Sequence, residues 1–427
     1  VSFLDNIMVG QLGTEQMSGV AIVNQLIFVY NLAVFGAVSA ASIFGAQYFG
    51  KGNHKGHMYS FRFKLYAALT VTALTILLFV TKGESLISLY LTDTSGSGAT
   101  GAALQYGLQY LIIMMAGLIP FAVNQSYATN IKETGQTLIP MIASFVAVGS
   151  NAILDYLLIF GIGPFPELGV QGAALATVIA RYIEALMIII WAHRHREKNR
   201  YLKGAYTGFG IPADELKAII IKGLPLMMNE VLWAAGMTAV IQCYSIRGLE
   251  VVAGLNIATT ITNLFNIINI QLGACISIVV GQYLGAGELE KAKDADNKMI
   301  VFSVFCCVIV AVCMLFIGRF FPQIYNTSEE IRALATRFIA VSAIIMPFCS
   351  FSHASYFTLR SGGKTMVTFL FDSVFTWIVV VPTAFLLAHY TGLGIISVYF
   401  FVQATELIKV AIGYFMVHSN VWLVQMV

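Results

Sequence analysis

Apolar runs of about twenty residues, each long enough to cross a hydrocarbon layer of about 30 Å as a helix, recur along this chain between short polar or glycine-rich breaks. They fall at Met17–Phe49, Tyr59–Val80, Leu104–Asn130, Leu138–Ile162, Val170–Ala192, Gly223–Ile246, Val251–Leu284, Met299–Phe320, Ile331–Leu359, Thr365–His389 and Leu393–Val417. A shorter apolar run, Val1–Gln11, precedes them and carries Asp5 in its middle. The pattern predicts twelve membrane helices, the first cut at its N-terminal end in this sequence.

The pattern also repeats. Ser42–Gly52, SIFGAQYFGKG, returns as Ser277–Gly287, SIVVGQYLGAG, and at the same offset Gly13, Glu15, Gly19, Ile22 and Asn31 meet Gly248, Glu250, Gly254, Ile257 and Asn266. Two similar halves are expected, and in membrane carriers a substrate site is expected at the seam between such halves. The basic stretch His193–Lys203, HRHREKNRYLK, falls between the sixth and seventh spans. It divides the chain into a first lobe at 1–192, a cytoplasmic linker at 193–210, read as a solvated loop, and a second lobe at 211–427.

Composition fixes the solvent. With 58% hydrophobic residues, 11% charged and a mean hydropathy of +0.80, the chain lacks the polar surface to coat a soluble particle. A net charge of +3 is too small to suggest a nucleic-acid partner. Its distribution is more informative. With the start inside, the cytoplasmic side receives Lys51, Lys55, Arg62, Lys64, Lys132, Arg194, Arg196, Lys198, Arg200, Lys203, Lys217, Lys222, Lys291, Lys293, Lys298, Arg360, Lys364 and Lys409. The other side keeps Lys82, Arg247, Arg319, Arg332 and Arg337, so both termini are expected in the cytoplasm.

The six cysteines lie in apolar spans of the second half without C-x-x-C spacing and read as small packing residues. Gly281 and Gly285, echoed by Ala46 and Gly50, form small-residue steps that let helix backbones approach closely, for packing rather than dimerisation.

An ionisable side chain in mid-membrane costs about 2.5–3.5 kcal/mol even on lenient scales, so the few retained here are candidates for chemistry. Asn151 precedes Asp155 by one turn, and the two share a helix face. With Asp5 on a neighbouring span and Thr177 in GAALAT, they would form an oxygen cage for a proton or a cation such as Na⁺. Arg181 and Glu184, at i and i+3, read as a self-neutralising structural pair. Glu230 follows Pro225 in the seventh span and is the main second-half candidate for a proton or cationic substrate, with Asp372 behind it. The eighth span carries Thr262, Asn266 and Asn269 on one face, expected to line a wet cavity or to hydrogen-bond between helices.

These residues together are familiar. DNIMVGQLG at the start, GAQYFGKGN and its echo GQYLGAG, the Asn151/Asp155 spacing followed by IFGIG and GVQGAALAT, and GLPLMMNEVLW resemble the multidrug and toxic compound extrusion (MATE) family over essentially the whole chain. The resemblance is to its bacterial, NorM-like branch. It implies an all-α integral membrane fold of two pseudo-symmetric six-helix lobes around a central cavity. It also implies an ion-coupled antiporter, a monomer in the bacterial inner membrane, that exports amphiphilic organic cations and drugs by alternating access in exchange for H⁺ or Na⁺. No cofactor is implied beyond that ion, and lipids are the other partner. By position, Asp5, Asn151, Asp155 and Thr177 match the family's first-lobe site, and Glu230 matches the acidic residue of the seventh helix. The acid that this branch carries near the tenth-helix loop is replaced by Gly363 and Lys364, which argues against a second-lobe sodium site.

Two other classes fit less well. A lipid-linked saccharide flippase needs a cationic cavity, and Arg181 is the one mid-membrane base that the charge count leaves. An intramembrane enzyme needs a base or metal set, and His353 has no evident partner.

Overall fold

The computed structural model describes residues 8–90, 99–208, 210–325 and 327–427, and among these every regular element is helical. The helices are α1 (Thr14–Gly50), α2 (His54–Ser88), α3 (Ala99–Ala116), α4 (Leu118–Glu133), α5 (Leu138–Phe160) and α6 (Val170–Arg194). After a short 3₁₀ turn at Arg200–Leu202 follow α7 (Ala213–Ser245), α8 (Leu249–Gly285), α9 (Leu289–Phe320), α10 (Glu329–Ser361), α11 (Thr365–Tyr390) and α12 (Ile395–His418). Ten are long and apolar enough to span a membrane alone, and α3 with α4 supplies an eleventh span. Asp5 lies outside the described residues.

The exposed surface matches a hydrocarbon solvent. On α9, Val301, Phe302, Phe305, Val308, Ile309, Val312 and Phe316 are all exposed, a stripe that would be intolerable in water. α1 and α8 have 37 residues each, about 55 Å at 1.5 Å per residue, so both project beyond the hydrocarbon.

The span expected at Leu104–Asn130 is two helices meeting at 44°. Pro120 has no N–H for the Ala116 carbonyl, and Gly117 between the helices offers little resistance to the bend. Side chains serve the carbonyls at the break: Tyr182 Oη donates to the freed Ala116 O at 3.4 Å, Arg181 Nη1 joins the Phe121 N–H on Gly117 O at 3.2 Å, and Tyr30 Oη donates to Leu118 O at 2.8 Å. Three consecutive carbonyls are thus satisfied inside the protein.

The chain forms two compact units. The first holds Val1–Gly45 and His54–Lys217, the second Ala46–Asn53 and Ala218–Val427. The basic stretch after α6 belongs to the first unit; its charged side chains Arg194, Arg196, Lys198, Arg200 and Lys203 are exposed, while its end is tied down. Arg62 on α2 donates to Gly204 O, Ala205 O and Gly210 O at 2.7, 2.9 and 2.7 Å. Tyr201 is fully buried between the rings of His57 and Phe61, at centroid distances of 4.9 and 5.2 Å. Burial raises its hydroxyl well above the usual tyrosine range, so it serves as a neutral wedge.

Beneath this strap lies a buried charge cluster. Lys64 Nζ bonds Glu133 Oε1 at 2.5 Å and also Asn130 Oδ1, while His57 Nε2 stands 3.2 Å from Glu133 Oε2. None of these side chains is more than 1% exposed. Lys64, expected among the solvated cytoplasmic bases, is instead half of a buried ion pair linking α2 to α4. Gly45 on α1 makes the room, since a Cβ there would occupy the Glu133 carboxylate.

In the second unit the repeated motif packs against its own echo. A Cβ on Gly50 would run into the Gln282 carbonyl, one on Gly285 into the Gln47 carbonyl, and one on Gly281 would lie 3.0 Å from Ala46 Cβ. The contacts are reciprocal, because Gly50 and Gln47 occupy the same motif positions as Gly285 and Gln282. Gln47 adds a clasp, donating to Ser361 O at 2.9 Å and accepting from Met426 N–H at 2.8 Å.

Two outcomes are expected from these contacts. Gly285→Leu, which forces a side chain into a backbone contact, lowers stability by at least about 1–3 kcal/mol, read as a lower melting temperature of detergent-purified protein. Lys64→Met strands the Glu133 carboxylate and costs about 3–5 kcal/mol, and adding Glu133→Gln recovers part of the loss in the same melt.

Candidate functional site

The buried face of α5 runs Pro140, Ala143, Ala147, Asn151, Asp155, Leu158 and Ile159. Asn151 and Asp155 are thus polar residues set one turn apart in an otherwise apolar stripe, and both are 0% exposed. α6 approaches closely because its facing residues are small. A Cβ on Gly172 would lie 2.5 Å from Leu158 O, and Ala173, Ala174 and Ala176 are fully buried. That approach brings Thr177 within reach: Asn151 Nδ2 donates to Thr177 Oγ1 at 3.3 Å. Among the described residues the Asn151 side-chain carbonyl accepts no hydrogen bond, which leaves an oxygen donor for a guest. Asn151 and Thr177 are therefore joined between α5 and α6, and Asp155 lies one turn along the same buried face of α5.

Arg181 and Glu184 are engaged separately, contrary to the pairing expected from their spacing. Arg181 donates to Gly117 O and lies over the Phe121 ring, its guanidinium carbon 5.1 Å from the centroid. Glu184 Oε1 accepts from Ser144 Oγ at 2.6 Å. The physical reason is the junction between α3 and α4, where the Gly117 carbonyl has a second lone pair within reach of the guanidinium and Phe121 offers it a ring face.

In the second unit Asp372 is the hub. Lys409 Nζ on α12 bonds Asp372 Oδ1 at 2.6 Å, with side chains only 11% and 17% exposed. Asn229 on α7 donates to Asp372 Oδ2 at 3.0 Å and to Tyr356 Oη at 3.4 Å. It also accepts from Ser373 N at 3.2 Å and Ser373 Oγ at 2.7 Å. Glu230, the next residue, is half-buried and within electrostatic reach of Arg360 and Asp372. Around Asp372 the helix widens into π turns at Leu370–Val374 and Thr376–Val380, just before Pro382. Such turns recur at functional sites.

The expected polar stripe on α8 divides. Thr262 Oγ1 returns to Ala258 O on its own helix at 2.8 Å. Asn269, 2% exposed, donates to Asn266 Oδ1 at 3.1 Å and accepts from Cys307 Sγ on α9 at 2.5 Å. Asn266 and Asn269 thus serve hydrogen bonding within the helix bundle.

Three groups escaped the sequence reading. Lys409 was counted with the cytoplasmic bases although it lies well inside the apolar run Leu393–Val417, and that position was the available signal. Glu133 sits just past its span. Asp296 lies just ahead of the apolar run Met299–Phe320, yet it is fully buried, accepting from Thr358 Oγ1 at 2.5 Å. Among the described residues no cluster of three or more His, Cys, Asp or Glu could hold a metal ion.

Residues 1–157 and 225–386 match the MatE family. A probable multidrug resistance protein NorM of Thermotoga maritima is 24% identical over 399 residues, covering 92% of this chain and 82% of the relative. The probable multidrug resistance protein YoeA of Bacillus subtilis is 23% identical over 400 residues, covering 91% and 82%. Among solved structures, one described as an outward-facing conformation of a multidrug resistance MATE family transporter of the MOP superfamily superposes with a TM-score of 0.84 at 20% identity, covering 98% of this chain and 90% of that one. Another, of MATE in the bent conformation, gives a TM-score of 0.85 at 19% identity over the same shares. With the family match spanning most of the sequence and the same all-helical architecture in both solved structures, this chain belongs to the MatE family and is a membrane transporter of the MATE type, not an enzyme.

Proposed function

We propose that the chain is a secondary active exporter of amphiphilic organic cations, driven by inward H⁺ or Na⁺ through alternating access. The observation that carries this reading is the polar trio Asn151, Asp155 and Thr177, kept buried between two apolar helices. We read a carboxylate retained at such a cost as a place for a visiting cation or proton. Asp5 is proposed as the second carboxylate of that site. The names of the NorM and YoeA relatives support drugs as the exported class. The chain is proposed to work as a monomer in the bacterial cytoplasmic membrane, with both termini inside and no cofactor beyond the coupling ion.

The energetics set the stoichiometry. A tenfold ion gradient is worth about 1.4 kcal/mol, and a charge crossing 100 mV about 2.3 kcal/mol. One monovalent ion exchanged for one monovalent drug moves no net charge, so it supports only about a tenfold drug gradient. A second ion adds both contributions, raising the limit by more than two further decades. Coupling also requires that ion and drug favour different conformations, so that occupancy at Asp155 biases which side is open.

Asp155→Asn is expected to reduce ethidium efflux at least about tenfold in an efflux-deficient strain at unchanged membrane levels, and Asp5→Asn likewise. Proteoliposomes given a Na⁺ or a pH gradient separately identify the ion. Full ethidium efflux by both variants would remove these carboxylates from the mechanism.

A further inference from the structure

The two halves place a polar bridge at the same point of the repeat, with different charges. With Gly135-Gln136-Thr137 in register with Gly363-Lys364-Thr365, Ser144 matches Asp372. With Gly169 in register with Gly394, Arg181 and Glu184 match Glu406 and Lys409. In the first half the bridge is Ser144 to Glu184 at 2.6 Å; in the second it is Asp372 to Lys409, also at 2.6 Å. The acid on the sixth helix of the first half has become a base on the twelfth. Its partner, a neutral hydroxyl in the first half, has become a carboxylate.

The consequence is a site that already contains a cation. Lys409 Nζ occupies Asp372 Oδ1 and lies 5.4 Å from the centroid of the Phe371 ring. Asn229 holds the other carboxylate oxygen and is itself fixed by Ser373, so the acid is positioned while the lysine is tethered by a flexible stem. One turn before Lys409 on the same helix stands Glu406, half-buried and within electrostatic reach of the ammonium. Lys409 therefore has two acids to choose between. The other titratable or charged groups facing this pair are Glu230 on α7 and His353, Arg360, Tyr356 and Cys349 on α10.

We infer that Lys409 is a built-in competitor for the cationic substrate: it neutralises Asp372 in the empty protein and swings to Glu406 when an organic cation takes the carboxylate. The class of ligand follows from the surroundings. The Phe371 ring already takes an ammonium over its face beside the acid, an environment suited to a delocalised monovalent cation rather than a hydrated metal ion. The return of Lys409 to Asp372 then expels the substrate, so binding and release are balanced by one side chain. This specificity role rests on the exporter reading, but its binding measurement stands apart from transport.

The test is ethidium binding to the purified full chain, followed by fluorescence anisotropy between pH 6 and 8.5. The wild type is expected to bind weakly and almost independently of pH. Lys409→Met is expected to bind at least tenfold more tightly at pH 8, with the gain shrinking towards pH 6 as protons compete for the unguarded Asp372. Lys409→Arg should keep the wild-type pattern, and Lys409→Met with Asp372→Asn should abolish the gain. Glu406→Gln, which leaves Asp372 and its lysine in place, should weaken binding about tenfold and covers the case in which Lys409→Met fails to fold. Binding by Lys409→Met no tighter than wild type, a gain that survives Asp372→Asn, or no effect of Glu406→Gln overturns the inference, as does an absence of ethidium binding by every variant. The expected binding pattern without ethidium efflux by the wild type would refute the exporter reading alone; efflux without the pattern would refute the lysine's role alone.

Discussion

A polar group in hydrocarbon has no water to bond, and a charge there loses several kcal/mol of solvation that only another protein group can return. This constraint organises the whole molecule. Where Pro120 removes a backbone donor, Tyr182 arrives from α6 to serve the Ala116 carbonyl, and Arg181 and Tyr30 add bonds to the two carbonyls that follow. Where Lys64 enters the bundle, Glu133 and Asn130 meet it. The helices are joined by the hydrophobic contacts of their buried stripes, but the positions at which they cross are marked by these obligatory polar encounters. The same logic makes Asp155 and Asp372 informative, because each is retained in a place where an apolar residue would be easier to bury.

The two candidate sites solve the problem differently. In the first unit, Asp155 shares a fully buried helix face with Asn151, which is itself bonded to Thr177. In the second, Asp372 is held by a lysine and an amide, and the π turns of α11 give it a setting that an ordinary helix would not. Two pseudo-equivalent lobes therefore carry unequal electrostatics. A duplicated scaffold has kept its helix packing, visible in the reciprocal contacts of Gly50 and Gly285, while its polar centres have diverged.

Much of the fold was legible because hydropathy is a local property. The spans, the repeat and the small-residue steps follow directly from residue type, and Asn151, Asp155 and Thr177 were found because polar residues at helical spacing inside apolar runs are rare. What stayed hidden depends on contacts between distant segments. Nothing near Lys64 in the sequence announces Glu133, and nothing in His193–Lys203 announces that Arg62 will fasten the residues that follow it. The spacing of Arg181 and Glu184 suggested a pair, but the bend at Gly117 offered the guanidinium a better acceptor. Lys409 was hidden by a counting rule: positive charge is assigned to loops, and this one sits mid-helix.

The strap held by Arg62 bears on how the protein is made. Because residues up to Lys217 pack within the first unit, its polar contacts can be completed as soon as that length of chain has left the ribosome. The exception is the stretch Ala46–Asn53 at the end of α1, whose partners Gln282 and Gly285 are made more than two hundred residues later. That stretch must wait in the nascent protein with its glycine face uncovered until α8 has followed it into the membrane.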